Sequence, residues 1–546
     1  ALKQAGDDSP APSTAPSGGD GQKRNNTPII IGVVIAAIVL LLIGAFLPPF
    51  SLGERLFGSG ETETMAAETD PTAESPEATA ESEADVAGIP GEITLEASGI
   101  TNVSATPADQ FAATSNLPAG SAAVGSVYAL EGTGVGQAMV TVPGGIQTNT
   151  DLLGYNGQAW QVVPAEVSAD GQQFVTAVGN LPQALLAVNR TAPDTVSVIA
   201  EWMPEETIPA DLLPYLTQVN VGGYMLGAGG ELTATPADVP QGGYTSLMNV
   251  TNAGVIVDQS ALSELLADPA LQQAHVQDVV AKAQEGGYTG VILDYQGVVA
   301  SQADDYTNLV AAFSEALDTA DLNLVVFVST PARTAEGQWD SAGQDLAELG
   351  QIADTVLLQM PLDPQAYADG GQADQLLAWA TRQVDRSKLI AVVSAYAVDK
   401  LGNTLREITL EDALANLGDL VIADLEGQVS EVEPGTAATI SFSGDANPLE
   451  WDGESLTYKF SYDDDGETRT VWITNEAALA NRLRLADKYG LRGAAVNGLA
   501  HVTDTAGYAQ ALESYTVDAE APQPDSTAIV WTVKNEDGGV VASSSG

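Results

Sequence analysis

The sequence predicts an α/β protein whose main domain is a (β/α)8 barrel of the TIM type, with a β-rich insertion between strands 7 and 8. Two observations lead to this prediction. From about residue 195 onward, short apolar runs alternate with amphipathic stretches, which is typical of a parallel sheet. Eight such runs occur, and eight strand–helix units close a barrel. An all-β sandwich and a single apolar segment are predicted before the barrel.

The predicted barrel, residues 195–515, consists of eight short runs rich in Val, Ile and Leu. These runs are residues 196–200, 218–224, 245–250, 290–294, 322–329, 355–359, 389–394 and 493–497. Amphipathic stretches lie between most of them, at residues 269–285, 305–319, 372–384 and 476–489. The gap between the last two strands is too long for one helix. It contains three runs with strand propensity, which predicts a β-rich insertion at about residues 403–475.

Residues 93–190 show the alternation of apolar and turn residues that is typical of a β-sandwich. Strand-like runs at 126–130, 138–142 and 173–178 are separated by turn signals such as Asn156-Gly157 and Asp170-Gly171. The Asp463-Asp464-Asp465-Gly466 segment of the predicted insertion lacks the further ligands of a calcium loop, so we interpret it as a hairpin turn. Residues 518–546 are predicted to be a linker and either the start of another β-domain or a docking strand.

Residues 29–47 form an uncharged apolar run of the length that a membrane-spanning helix requires, about 30 Å at roughly 1.5 Å per residue. Lys23 and Arg24 precede it, and acidic residues follow it. The positive-inside rule then predicts that residues 1–28 are cytoplasmic, and composition predicts that they form a disordered tail and that residues 48–92 form an acidic disordered linker. The remainder would be extracellular, which makes the predicted location the cell membrane with a single pass.

Composition excludes several classes of function. The chain has 73 acidic and 19 basic residues, a formal net charge of −54, which argues against nucleic acid or an anionic lipid surface as a partner. It has no cysteine, so disulfides and thiolate metal sites are excluded. Its two histidines, His275 and His501, are far apart in sequence, and neither a His-based zinc site nor a Ser-His-Asp triad is expected. We predict no metal and no cofactor.

The most informative segment is residues 287–297, Gly-Tyr-Thr-Gly-Val-Ile-Leu-Asp-Tyr-Gln-Gly. Alternate residues of a barrel strand face inward, so Ile292, Asp294 and Gln296 share one side, and functional sites lie where such strands end. The segment resembles the strand-four signature of family 18 glycoside hydrolases, the chitinases and spore-cortex glycosidases. That signature is usually F-D-G-x-D-x-D-x-E.

The resemblance implies a mechanism in which the substrate's own N-acetyl oxygen attacks the anomeric carbon. Asp294 matches the Asp that orients the acetamido group. Gln296 stands where the family has the proton-donating Glu, and an amide cannot protonate a leaving oxygen. Loss of a general acid costs about 10²–10⁴ in rate. We therefore expect no catalytic residue and interpret the barrel as a pseudoenzyme.

Other positions depart from the family as well. Residues 353–363 resemble its strand-six motif and keep Asp363, but Leu362 or Pro361 stands where the family has Tyr. Asn497 stands where it usually has a Trp that serves as a sugar platform. The remaining candidates for a glycan pocket lie near predicted strand ends: Asp294, Tyr295, Gln296, Tyr224, Gln359, Met360, Asp363, Tyr396 and Asn497.

Three functions are compatible with the sequence. The first is a membrane-anchored extracellular protein whose inactive barrel is a glycan-binding or structural module. The second is an active chitin or cell-wall glycosidase that uses an unrecognised acid. The third is a building block of a surface layer or sheath. The expected partners are an N-acetylated glycan of the chitin or peptidoglycan type, the membrane through one helix, and other surface proteins or copies of this chain.

Overall fold

A computed structural model describes ten ranges of the chain: residues 85–97, 99–132, 136–178, 182–418, 420–422, 440–442, 444–517, 519–523, 530–534 and 540–545. The predicted tail at 1–28, the apolar run at 29–47 and the linker up to residue 84 lie outside the described residues. Strands precede a parallel barrel in these ranges, and a further sheet is inserted near the end of the barrel.

The first part consists of two antiparallel five-stranded sheets, in the orders β1-β2-β5-β9-β8 and β3-β4-β10-β6-β7. Their strands are β1 (Asp85–Ile89), β2 (Ile93–Ala97), β3 (Ile100–Pro107), β4 (Ser121–Gly132), β5 (Gly136–Thr141), β6 (Thr150–Tyr155), β7 (Trp160–Val162), β8 (Glu166–Val167), β9 (Gln173–Val178) and β10 (Ala184–Arg190). Both sheets contribute apolar side chains to a shared core, among them Leu95, Phe174 and Leu185. β1 lies within the segment predicted to be linker, where pairing with β2 orders it.

The rest of the chain forms the barrel, its helices and the inserted sheet. In chain order the elements are β11 (Ser197–Trp202), β12 (Gln218–Leu226), β13 (Leu232–Ala234), β14 (Thr245–Thr251), α1 (Gln259–Ala267), α2 (Pro269–Gly286), β15 (Gly290–Asp294), α3 (Ala303–Thr319), β16 (Asn323–Val328), β17 (Ala332–Arg333), β18 (Trp339–Asp340), α4 (Leu346–Ile352), β19 (Thr355–Gln359), α5 (Gln372–Ala380), β20 (Leu389–Ser394), β21 (Ala397–Leu401), β22 (Thr404–Ile408), α6 (Leu410–Ala415), β23 (Leu420–Ile422), β24 (Ile440–Phe442), β25 (Glu450–Asp452), β26 (Thr457–Asp464), β27 (Glu467–Ile473), α7 (Glu476–Lys488), β28 (Gly493–Asn497), α8 (Thr505–Thr516), β29 (Val530–Lys534) and β30 (Val540–Ser545).

The predicted barrel of eight parallel strands is confirmed. Its strand order is β11-β28-β20-β19-β16-β15-β14-β12, and parallel pairing of β11 with β12 closes it. β15, β19, β20 and β28 have the predicted bounds. The helical ring is less regular than a (β/α)8 formula implies. Only a 3₁₀ turn, Leu213–Tyr215, lies between β11 and β12, and β13 pairs antiparallel with β12 where the next helix would be.

The chain between β20 and β28 contains an antiparallel five-stranded sheet in the order β22-β21-β27-β26-β25. It begins at Ala397, earlier than the predicted residue 403, because β21 follows β20 almost without a loop. Asp465 and Gly466 form the turn of the β26–β27 hairpin with positive φ angles of 52° and 87°. Asp463-Asp464-Asp465-Gly466 is therefore a hairpin turn, as predicted.

The barrel interior contains an apolar inner layer contributed by alternate residues of the strands, and β20 supplies two of its members, Ile390 and Val392. Ile199, Leu247, Ile292, Leu357 and Ala495 belong to this layer. The residues on the other face of each strand pack outward against the helices in a separate, larger core. A residue two positions after a member of the inner layer therefore faces the carboxyl end of the barrel.

A buried ionic cluster joins the first two sheets to the barrel. Asp151 of β6 is fully buried and accepts two hydrogen bonds from Arg386, one of them from Nε at 3.0 Å. Arg190 of β10 lies 3.6 Å from the same carboxylate and also binds Asp385 at 3.3 Å. Arg386 additionally donates to the carbonyl of Tyr489 at 2.6 Å. These contacts fix the sheets to the end of the barrel where β20 begins.

The predicted location as a single-pass membrane protein is corrected. In the ranges that the structure describes, no helix is both long enough and apolar enough to cross a bilayer. The longest of them, α2, has 18 residues but includes Gln272, Asp278 and Lys282. The predicted span itself, residues 29–47, lies outside the described residues.

Candidate functional site

Polar side chains surround the carboxyl end of the barrel, directly above the apolar inner layer. We call this region the barrel mouth; its inward-facing residues are Glu201, Asn249, Thr251, Asp294, Gln359, Ser394 and Asn497. Asp294 and Gln359 end their strands two positions after Ile292 and Leu357 of the inner layer. The structure thus brings together four predicted site residues: Asp294, Gln359 and Asn497 at the ends of their strands, and Gln296 two positions after the end of β15.

Gln296 is held against Asp294 by a well-defined set of hydrogen bonds. Its side-chain Nε2 donates to Asp294 Oδ1 at 2.9 Å. Its backbone N–H donates to Asn252 Oδ1 at 2.8 Å, and Asn252 Nδ2 donates back to the carbonyl of Gln296 at 3.0 Å. Thr251 Oγ1 donates to the backbone carbonyl of Asp294 at 3.0 Å. The amide therefore has a fixed orientation, with an N–H directed at the carboxylate.

Two carboxyl groups of the mouth have strongly raised pKa values. Burial raises the pKa of Asp294 to about 7, although hydrogen bonds from Gln296 and Thr251 act in the opposite direction. Burial raises the pKa of Glu201 to about 8, and repulsion from Glu206, Glu407 and Asp294 adds to it. Perturbed acids of this kind cluster at functional sites.

The Glu201 side chain has neither a hydrogen-bond partner nor an ion-pair partner among the described residues. Glu407 reaches the mouth from β22 of the inserted sheet and has no such partner within the same ranges. Together with Gln359 and Asn497 it lines a cavity of about 10 Å³, roughly the room for one water molecule. This side of the mouth is narrow.

Two predicted pocket residues, Tyr295 and Tyr224, point away from the mouth. Tyr295 is fully buried in the outer core, and its hydroxyl lies 2.5 Å from His275 Nε2. His275 Nδ1 lies 2.8 Å from the carbonyl of Gly230, so Nδ1 donates and Nε2 accepts from the tyrosine. Tyr224 is buried and hydrogen-bonds Tyr288 at 3.0 Å. Their prediction as pocket residues was wrong, because each lies on the outward face of its strand.

Three further predicted pocket residues lie near the mouth, but their side chains make contacts outside it: Met360, Asp363 and Tyr396. Met360 is buried in the outer core and only borders the narrow cavity. Asp363 forms an ion pair with Lys400 of the inserted sheet at 3.0 Å. The ring of Tyr396 lies 5.3 Å from that of His501, in a neighbouring cavity of about 140 Å³ between the barrel and the inserted sheet.

Glu201, Glu407 and Asn249 were not predicted from the sequence. The signal for Glu201 was present, because this acid follows an apolar barrel strand two positions after the inward-facing Ile199. Glu407 gave no such signal, since its strand belongs to the inserted sheet. Within the described ranges, no three acidic or histidine side chains are placed to hold a metal ion.

Comparison with known proteins gives distant similarities. The chain is 22% identical over 277 residues to the uncharacterized glycosylase YvbX of Bacillus subtilis, covering 48% of this chain and 72% of that protein. The spore cortex-lytic enzyme SleL of Bacillus megaterium is similar in structure, with a TM-score of 0.45, 16% identity and coverage of 61% and 77%. A chitinase of Chromobacterium violaceum has a TM-score of 0.44, 20% identity and coverage of 59% and 98%. No protein-family profile matches the chain.

The predicted resemblance to a glycosidase barrel is confirmed by the glycosylase relative together with the closed barrel of eight parallel strands.

Proposed function

We propose that the barrel binds a glycan at its mouth without hydrolysing it. The observation that carries this proposal is the hydrogen bond from the Gln296 amide to Asp294. The amide occupies the position at which glycosidases of the resembled family have their proton donor. It has no acidic proton to give, so the leaving oxygen of a bound sugar would depart as a poor, unprotonated leaving group.

The other residues of the mouth suit sugar recognition. Asp294, Gln359 and Asn497 are half-buried, and their side chains offer both donors and acceptors for hydroxyl and amide groups. Above its pKa of about 7, Asp294 is ionised, and its carboxylate can then accept a hydrogen bond from an acetamido N–H. A hydrogen bond to a charged group contributes roughly 1.5–3 kcal/mol.

Calorimetry with N-acetylglucosamine oligosaccharides tests the proposal. We expect Asp294→Asn to weaken binding by about ten- to a hundredfold, because the charge of the acceptor is lost. Thr289→Ala is the control, since Thr289 precedes β15 and its hydroxyl is already occupied by the carbonyl of Ser246 at 3.2 Å. Absence of binding by the wild-type protein at millimolar sugar would overturn the proposal, and so would turnover above buffer background that Asp294→Ala abolishes.

One observation favours a second candidate, glycoside hydrolysis with Glu201 as the acid. The raised pKa of Glu201, about 8, keeps its carboxyl protonated at neutral pH, as a general acid requires. Its lack of a hydrogen-bond partner leaves that proton available to a substrate oxygen. On this alternative, Glu201→Gln abolishes the turnover of a chitin oligosaccharide, whereas Glu315→Gln, on the exposed surface of α3, leaves it unchanged.

A further inference from the structure

We infer that the glycan bound at the mouth carries an aliphatic chain, and that this chain lies on an apolar patch beside the mouth. The assignment rests on the proposed function and names the class of glycan that the same site takes. We call the patch the apolar rim. It consists of Val255, Ile256 and Val257 in the loop after β14, and of Val299 in the loop after β15.

The four side chains of the apolar rim are exposed to solvent. Val255 and Ile256 are 106% and 79% exposed, and Val299 and Val257 are 47% and 37% exposed. In the described ranges only two other large aliphatic side chains are exposed, and both lie on other elements. Exposed aliphatic side chains are thus concentrated where two neighbouring barrel strands end, and such a concentration marks a binding surface.

The two loops of the rim are joined to each other and to the mouth. They follow β14 and β15, which pair as neighbouring parallel strands. Asn252, at the start of the first loop, makes the two hydrogen bonds that fix the backbone of Gln296 near Asp294. Gln259 Nε2, just beyond this loop, donates to the carbonyl of Gly297 at 3.4 Å. The contacts that position the amide of the mouth therefore also hold the rim.

Internal hydrogen bonds shape the first loop. The Gly254 N–H donates to the carbonyl of Ile256 at 3.1 Å, and the Asp258 N–H donates to the carbonyl of Asn252 at 2.8 Å. These backbone groups are satisfied within the loop. The aliphatic side chains at its tip are left facing solvent, where a ligand can cover them.

Neither loop carries a charge, although the chain has 73 acidic and 19 basic residues. Residues 252–257 and 296–302 contain apolar, amide and hydroxyl side chains and glycine. Asp258, which follows the first loop, accepts hydrogen bonds from the backbone N–H groups of Ser260 and Ala261 as the cap of α1. An apolar ligand can therefore cover the rim without desolvating a charged group of these loops.

The rim lies across the mouth from the inserted sheet. This sheet follows β20, and β14 is four strands away from β20 in either direction around the closed barrel. The side of the mouth at the inserted sheet is narrow, with a cavity of about 10 Å³ beside Glu407. A glycan held at Asp294 therefore has more room to continue over the rim than toward the inserted sheet.

The size and chemistry of the rim select an aliphatic chain rather than a protein or a bare sugar. A stable protein interface buries about 20–30 residues on each partner, so four side chains are too few to hold a second copy of this chain. Sugar rings stack on flat aromatic side chains, but the rim has none, and Tyr224 and Tyr295 point away from the mouth. Branched aliphatic side chains suit an alkyl chain, which is stabilised by each methylene group that leaves water.

The test is calorimetry on the full chain at a pH above the pKa of Asp294, about 7. It compares the methyl and octyl glycosides of one N-acetylglucosamine disaccharide, below the concentration at which the octyl glycoside forms micelles. We expect the octyl glycoside to bind at least about tenfold more tightly, which corresponds to burial of about two methylene groups. Its binding should also have the more negative heat-capacity change.

The variant Val255→Ser/Ile256→Ser removes the two most exposed side chains of the rim. We expect the advantage of the octyl glycoside to fall to within about twofold, with binding of the methyl glycoside unchanged. The matched control is Val86→Ser/Val517→Ser, which changes aliphatic residues of β1 and of the segment after α8 that are 70% and 65% exposed. This control should keep the full advantage.

Equal binding of the two glycosides by the wild-type protein would refute the aliphatic ligand and leave the proposed glycan binding in place. So would loss of the advantage in the control, because general adsorption to exposed aliphatic residues would then explain it. Octyl binding that Asp294→Asn leaves unchanged would also refute it, since rim and mouth would then hold separate ligands. A dimer that Val255→Ser/Ile256→Ser dissociates in sedimentation would assign the rim to a second copy instead. Binding of neither glycoside would refute both proposals.

Discussion

Two regions of this protein each enclose an acidic side chain, and the two acids differ in the charge of their neighbours. At the junction between the first sheets and the barrel, fully buried Asp151 faces the guanidinium groups of Arg386 and Arg190. At the barrel mouth, Glu201 faces Glu206, Glu407 and Asp294 and has no cationic partner among the described residues. A buried charge is stable only when it is compensated. The junction therefore compensates the charge of its buried acid, whereas the mouth disfavours the ionised form of Glu201 and keeps this carboxyl protonated near neutral pH.

The pKa shifts of the two acids have different causes. Burial is the largest influence on Asp151 and raises its pKa, but the hydrogen bond and charge of Arg386 and the charge of Arg190 act against it. For Glu201, burial and all three neighbouring acids act in the same direction. Removing the charge should consequently have opposite effects on stability at the two sites.

The largest expected effect is at the junction. We expect Asp151→Asn to lower the free energy of unfolding by about 3–5 kcal/mol, because it leaves the buried guanidinium of Arg386 without its counter-charge and leaves Arg190 with Asp385 alone. Denaturant unfolding of the variant and the wild type measures this. The control is Asp109→Asn, an exposed acid that precedes β4, which should change stability by less than about 0.5 kcal/mol. If the two substitutions had similar effects, the junction would not depend on this cluster.

The second prediction is a gain in folding stability, at the barrel mouth. The folded-state pKa of Glu201, about 8, lies above the ordinary value of 4.5, so the native state is favoured while the acid is protonated. The stability that the protonated Glu201 side chain contributes is therefore fully present below pH 4.5, its ordinary pKa, and is lost as pH rises toward 8. We expect Glu201→Gln to be more stable than the wild type by about 2 kcal/mol near neutrality and equal to it at low pH.

Thermal unfolding across this pH range tests the second prediction. Glu315→Gln, an exposed acid on α3, should show no comparable gain at neutral pH. A Glu201→Gln variant whose stability follows the wild type at every pH would show that the mouth does not penalise the ionised acid. The contrast with Asp151 would then disappear.

The smallest expected effect belongs to Gln296→Glu. The new carboxyl would lie at the amide position, 2.9 Å from Asp294 Oδ1, where two carboxyl groups must share a proton. We expect stability to fall by about 1 kcal/mol as pH rises above the pKa of Asp294, about 7. Hydrolysis of N-acetylglucosamine oligosaccharides should reach trace levels at most, because the tyrosine and tryptophan of the resembled family are not restored. Robust turnover by this variant would show that the acid alone was missing.

The barrel could be predicted from the sequence because its signals are local. Each strand is a short apolar run, and the two-residue alternation along it predicts which side chains face inward. Asp294 and Gln296 lie at the end of β15 as that rule predicts, and Asn497 ends β28. The missing helices of the first two crossovers could not be predicted from the eight strands, since pairing of β13 with β12 is a contact between segments.

The sequence by itself therefore determined the order of the barrel strands along the chain, the inward face of each one and the replacement of the expected acid by an amide at Gln296. Only the tertiary structure decided which charges meet. Glu201 and Glu407 come from distant parts of the chain and act on each other in the mouth, and Asp151 meets Arg386 across 235 positions. The physical reason is that alternation and hydropathy act over a few residues. Compensation of a buried charge depends instead on whichever side chains the fold places within a few ångströms.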